Sequence, residues 1–224
     1  MLQTFTLALE QLSDPPFRRL VLIGLGLSLL LLGLLVAAIA LLLAYGLPPD
    51  WAWAQAPAAV LGGGAGLVLA WFLFPAASAV AAGLLAEPIA RAVEKRHYPA
   101  SPPPRASGAI EALGQTIRLV LLGLLLNLLA LPVYLFVPGV NIAVFVALNG
   151  YLIGREYFET AAIRHFPAVE VRSRRRLKRV RLWTAGAGMA ILLMIPLVNL
   201  LVPYVGLAAM IHLVERERNR QSAG

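Results

Sequence analysis

The sequence predicts an all-α integral membrane protein with two long transmembrane helices, two re-entrant, hemi-penetrating helical hairpins and an N-terminal amphipathic helix. Three observations carry that prediction. Hydrophobic residues make up 60% of the chain and charged residues 13%, with a mean hydropathy of +0.79, outside the range of soluble globular domains. Four intervals carry no charge at all: 20–49, 51–86, 119–154 and 182–214. At about 1.5 Å per residue each can cross a hydrocarbon core of about 30 Å once and none can cross it twice. Finally, helix breakers lie near the ends of the first interval and near the centres of the last two.

The elements follow in order along one membrane domain, 1–224. In "MLQTFTLALEQL" the residues Leu2, Phe5, Leu9 and Leu12 share a helical face, which predicts an interfacial helix over 1–13. The first interval has no proline before Pro48, so a single span is expected over 15–45. A second span is expected over 58–90, with a kink at Pro75. Next comes "YPASPPPRASG", an extended linker. A first hairpin is expected over 109–165, broken at "PGVN" (Pro138 to Asn141), and a second over 180–214, broken between Pro196 and Pro203. Counted to those breakers, each arm has about 11 to 19 residues, mostly short of the hydrocarbon thickness, so both hairpins are expected to turn inside the bilayer with protein-covered or water-lined tips.

Charge sets the orientation. The loop "GLPPDWAWAQAP" holds Asp50, Trp51 and Trp53 but no Lys or Arg, whereas the basic residues cluster before the first span, after the second, between the hairpins and in the tail. This places the basic loops and both termini on the cytoplasmic side. The net charge of +8 is accounted for by orientation, and no nucleic-acid partner is expected.

Several motifs then resemble the CysZ sulfate-transporter family, which shares its domain with the etoposide-induced membrane proteins. They are "FRRLVLIGLGL" (Phe17 to Leu27), "GLLAEPIA" (Gly83 to Ala90), "FVPGVN" followed by "NGYLIGREYFE", and "MIPLVNLLVPYVGLAAM" (Met194 to Met210). They occur in the family's order from about Pro15 to Val214. The resemblance implies sulfate uptake across the bacterial inner membrane for cysteine synthesis, by a homo-oligomer surrounded by lipid. It also implies an anion site near the start of the first span, where the family has a glycine, an apolar residue and an arginine. The matching positions are Pro16, Phe17 and Arg18, with Arg19 next. Proline at 16 removes one backbone donor, and Asp14 reads as an N-cap competing for the remainder. Arg18 and Arg19 therefore suit two roles, a sulfate contact through Phe17, Arg18 and Arg19, or anchoring of a helix start at the membrane surface.

The hairpins supply further candidates. Gly139, Asn141 and Asn199 mark the tips, where each asparagine is expected to cap the returning helix and the helix N-termini to face an anion. In "GREYFE", Arg155 faces Glu159 at i, i+4 while Glu156 lies on another side. That set either anchors the hairpin or lines a path in which Arg155 attracts sulfate and a glutamate senses pH. The absence of cysteine and the scattered placing of His97, His165 and His212 lead us to expect no metal and no cofactor. "GGGAG" at Gly62 to Gly66 has no following Lys-Ser or Lys-Thr and suits helix packing. No nucleophile and base are brought together by the pattern, so enzyme activity is not expected. The rival to a permease is a non-transporting membrane scaffold whose "RSRRRLKRVR" run (Arg172 to Arg181) binds anionic lipid.

Overall fold

The computed structural model describes residues 2–46, 66, 73–74, 77–105, 109–137, 139–195 and 197–222. About half of the second span expected over 58–90, including its Pro75 kink, and the Trp51–Trp53 belt lie outside them. The helices are α1 (Leu2–Glu10), α2 (Pro15–Gly46), α3 (Ala86–His97), α4 (Ala109–Phe136), α5 (Asn141–Ala162), α6 (Ala168–Leu177), α7 (Arg179–Leu193) and α8 (Val202–Ser222). No strand occurs among the described residues. The chain divides into two compact units, Met1–Arg18 with Ala86–Gly224, and Arg19–Leu85.

The body of α2 belongs to the second unit. Its apolar stretch, Pro15–Leu41, is long and apolar enough to cross a membrane. Leu22, Leu29, Leu30, Leu34 and Leu41 stand exposed along it, a continuous apolar surface that suits lipid. Its buried serine, Ser28, is satisfied inside the helix by donating from Oγ to the Gly24 carbonyl at 2.7 Å.

In the first unit α8 is the axis. Every residue from Val202 to Glu215 is buried, and α1, α3, α5 and α7 pack on it. Toward α8 the helix α1 turns Thr4 and Ala8, followed by Gln11 in the 3-10 turn Gln11–Ser13. Leu9 is exposed and Phe5 and Leu12 are half-buried. The small and polar face packs inward, the apolar residues Phe5, Leu7 and Leu12 are partly covered, and the exposed positions Gln3, Thr6, Leu9 and Glu10 are mixed in character.

The closest packing is between α5 and α7, at glycines. A Cβ on Gly150 would lie 2.8 Å from the backbone N and Cα of Ala187. One on Gly154 would fall onto the Leu182 carbonyl, and one on Gly186 onto the Gly150 carbonyl. The backbones approach at a distance only hydrogen side chains permit, the small-residue packing that holds helices together where lipid removes any hydrophobic drive between them.

The first hairpin corrects the expected arm lengths. Its arms α4 and α5 have 28 and 22 residues, about 42 and 33 Å. Charged residues such as Arg118 and Glu111 do not end a helix, and Pro132 sits inside α4 without breaking it, so an arm counted from the charges is too short. In the second hairpin α7 has 15 residues and α8 has 21, the last third charged. The first tip turns at Gly139, whose φ of 93° only glycine adopts without strain. The second places Leu197 at φ 68° before the 3-10 turn Val198–Leu200, a sparsely populated backbone conformation that costs on the order of 1–3 kcal/mol.

The asparagine caps also need correction. The residue before α5 is Val140 and makes no side-chain cap, while Asn141 donates from Nδ2 back to the Tyr134 carbonyl at 3.4 Å. Asn199 lies inside the 3-10 turn, ahead of the start of α8 at Val202. Each helix starts at a residue other than the one the cap reading needs; Asn141 ties its turn back to α4, and Asn199 sits within the 3-10 turn.

The glycine crossing makes a direct prediction. Gly154→Ala or Gly186→Ala lowers the melting temperature of the detergent-solubilised protein by roughly 10 °C, the equivalent of about 3 kcal/mol of overpacking. Gly188→Ala, in the same helix but with nothing within 4 Å of an added Cβ, leaves it nearly unchanged. Equal melting temperatures for all three variants would contradict the crossing.

Candidate functional site

Three polar groupings collect the charged residues of the first unit. The first is the start of α2. Asp14 has an extended backbone (φ −81°, ψ 119°) and its carbonyl accepts the Arg18 N–H at 2.9 Å, so it occupies the N-cap position. Its buried carboxylate pairs with Arg96 of α3 at 2.6 Å. Pro15 and Pro16 bring no N–H, which makes Phe17 the first backbone donor of the helix. The Phe17 side chain is fully buried, while Arg18 and Arg19 are exposed. An anion there meets two exposed guanidiniums at the positive end of a helix.

The second grouping lies on α5, one turn beyond the glycine crossing. The Arg155–Glu159 pair forms at 2.9 Å, and both residues are buried. Arg175 of α6 reaches the same carboxylate oxygen at 3.0 Å. Two guanidiniums on one carboxylate leave a net positive charge at the end of the first hairpin. Glu156 faces away and is exposed. The structure therefore brings Arg155 and Glu159 together and leaves Glu156, Asn141, Asn199 and Gly139 elsewhere.

The third grouping was not visible in the sequence, because its members come from four separate stretches of the chain, Glu87–Glu94, Ser101, Arg164–His165 and Glu215–Arg218. Arg164, just past the end of α5, places Nη2 between both carboxylate oxygens of Glu94 in α3, at 3.0 and 2.9 Å, and also meets Glu87. Next to it the His165 Nε2 lies 2.8 Å from Glu215 Oε1 in α8 and 3.4 Å from Glu94 Oε1. Glu215 also accepts from Ser101 Oγ and from Arg218 Nη1, each at 2.6 Å. A neighbouring chain of contacts joins Tyr98 Oη to His212 Nδ1 at 3.0 Å and His212 Nε2 to Gln11 Oε1 at 3.2 Å. Together they fasten α1, α3, the linker and the end of α5 to α8.

Glu94, His165 and Glu215 offer three ligand atoms within 4.8 Å of one another. Both carboxylates already carry guanidinium partners, so the chain's own cations supply the positive charge a metal would bring. The electrostatics are those of a clasp. Burial alone would raise the Glu215 carboxyl, but the bonds from His165 and Ser101, with the charges of His165 and Arg218, outweigh it and hold the pKa down to about 2. Burial alone would lower the His165 pKa, but its bonds to Glu215 and Glu94 outweigh that and raise it above its usual 6.5.

What these groupings offer an oxyanion differs. Facing solvent at a helix start, Arg18 and Arg19 are accessible. Arg155 and Arg175 are tied to Glu159, and the clasp is internally neutralised. An apolar groove of about 530 Å³ between α4 and α5, lined by Leu122, Leu126, Val144, Ala147, Leu148 and Tyr151, has little with which to hold an anion.

The clasp fixes a pH dependence. His165, raised in the folded state, contributes fully below 6.5 and loses that contribution as pH rises through its folded pKa. Glu215, depressed in the folded state, contributes fully above 4.5 and loses it as pH falls toward 2. Thermal stability is expected to be highest between about pH 4.5 and 6.5 and to fall on the alkaline side. His165→Gln lowers the plateau and removes the alkaline decline, which melting curves across pH will show. A decline of the same size in the variant would assign it to another group.

Compared with known families, the chain matches the model described as "Sulfate transporter CysZ/Etoposide-induced protein 2.4" over residues 4–203. No curated protein matches it.

Proposed function

The chain belongs to the sulfate transporter CysZ/etoposide-induced protein 2.4 family, and from that premise we propose that it is an oxyanion permease, with sulfate as its substrate, in the bacterial inner membrane. The observation that carries this reading is the family match across 4–203. The exposure of Arg18 and Arg19 at the start of the apolar helix α2 supports it. In this reading the protein is one multi-pass membrane domain with its basic loops and both termini cytoplasmic. It works as a homo-oligomer in lipid and supplies sulfate for cysteine synthesis. The two hairpins enter and leave on the cytoplasmic side, with the tips at Gly139 and Leu197 against neighbouring protein or a watery path.

Mechanistically, Arg18 and Arg19 receive the incoming anion at the cytoplasmic end of its path and bind it with charge-assisted hydrogen bonds before release. The positive end of the α2 dipole adds to their attraction. Phe17 itself, packed in the first unit, holds the helix start in place. Because Pro16 withholds the donor that glycine offers at the matching family position, binding is weak and release easy. The net positive set Arg155–Glu159–Arg175 attracts the anion along the end of the first hairpin, with Glu156 facing outward as its titratable neighbour.

A non-transporting membrane scaffold is the second reading, favoured by the proline at position 16. Equilibrium binding of radiolabelled sulfate to the solubilised protein tests the site. Arg18→Gln/Arg19→Gln is expected to weaken binding at least about tenfold, and Pro16→Gly, restoring a donor, to tighten it by about threefold to tenfold. Unchanged binding in both variants would remove this site from the mechanism and favour the scaffold.

A further inference from the structure

The basic run between the hairpins divides into two sets that the sequence does not distinguish. The inward set is committed to partners in the chain. Arg174 pairs with Glu170 and lies 3.8 Å over the Phe166 ring, Arg175 pairs with Glu159, and Lys178 with Glu217. In the outward set, Arg172, Arg176 and Arg179 are exposed and have no ion pair among the described residues.

Their surroundings are apolar in an unusual place. Val169 is 71% exposed, Leu177 83% and Val180 67%, on the same outer face of α6 and the first turn of α7. Large aliphatic side chains at that exposure, set among arginines, are wasted in water and wasted on a purely charged partner. They suit a surface with anionic groups outside and hydrocarbon just beneath. The position agrees, since the uncharged interval of the second hairpin begins at Leu182, within one turn of Val180. The turn itself is built to aim this face: Lys178, with φ −109° and ψ 15°, breaks α6 from α7, and its N–H is shared among the carbonyls of Arg174, Arg175 and Arg176.

We propose that the outer face of α6 and the first turn of α7 is a docking surface for anionic lipid, on which Arg172, Arg176 and Arg179 engage headgroup phosphates while Val169, Leu177 and Val180 enter the acyl boundary. The surface clamps the connection between the hairpins to the bilayer and, through Arg175 and Lys178 on its inner side, holds Glu159 and Glu217 in register. Lipid composition thereby acts on the packing of both hairpins. A nucleic acid would use the arginines and gain nothing from the three aliphatic residues.

The chain has no cysteine, so Ser173→Cys, exposed on the same face, gives a single labelling position in the full-length protein. An environment-sensitive dye there is read in nanodiscs of phosphatidylcholine with increasing phosphatidylglycerol, using quenchers carried on the acyl chains. Quenching is expected to rise with the phosphatidylglycerol fraction. Arg172→Gln/Arg176→Gln/Arg179→Gln should raise the fraction needed for half-maximal quenching about tenfold or abolish the response. Leu177→Ser/Val180→Ser should keep the dependence on phosphatidylglycerol and reduce the depth of quenching. All substitutions are at exposed positions, and an unchanged melting temperature verifies the fold. Quenching that ignores phosphatidylglycerol, or that survives the triple substitution, overturns the proposal. So does a label that stays in water with phosphatidylglycerol and becomes protected when an acidic peptide or RNA is added.

Discussion

The approach of α5 to α7 at Gly150, Gly154 and Gly186 is the contact on which the rest of the first unit depends. An ordinary side chain at any of these positions would collide with the backbone of the facing helix, so the two hairpins meet main chain to main chain. Lipid supplies no hydrophobic force to hold such helices, and what remains is close van der Waals contact and the polar bonds it brings into range. Arg155 follows Gly154 directly and Glu159 lies one turn on, within reach of Arg175. Past the end of α5, Arg164 and His165 arrive beside α3 and α8. The polar architecture at this end of the unit thus depends on a distance set by missing side chains.

Charge is then sorted by direction. The inward cations Arg155, Arg164, Arg175, Lys178 and Arg218 each meet a carboxylate. Burying them unpaired would cost several kcal/mol each, on the order of the desolvation penalty of an ion. What remains of the net charge of +8 is displayed outward, at Arg18 and Arg19 and along the outer face of α6. A permease for an anion needs accessible cations near the membrane surface, and a membrane-bound hinge between hairpins needs them on its lipid side. The same sorting fits both the proposed permease and the proposed lipid-docking face.

Much of the helical plan was legible in the sequence because it rests on local signals. The proline-free run after Arg19, the turn at Gly139 and the i, i+4 spacing of Arg155 and Glu159 each have a short-range cause, and the helices and the ion pair they predict are present. Arm length differs from the sequence expectation because charge does not bound a helix, and α4 continues through Glu111 and Arg118. The cap expectation at Asn141 differs for another reason, because the turn offers its Nδ2 the Tyr134 carbonyl, while Asn199 lies in a 3-10 turn ahead of α8. The Glu94–His165–Glu215 clasp was illegible in principle. Nothing local links those three residues, and only the packing of α3 and the end of α5 against α8 brings them together.

The central claim is transport of an oxyanion, and the most direct measurement is uptake of radiolabelled sulfate into liposomes containing the full-length protein, with chloride and phosphate as competitors. Saturable uptake above that of empty liposomes, undiminished by chloride, is expected from a permease whose site recognises a divalent oxyanion. Uptake no greater than in empty liposomes, from protein that is monodisperse and has its normal melting temperature, would contradict it.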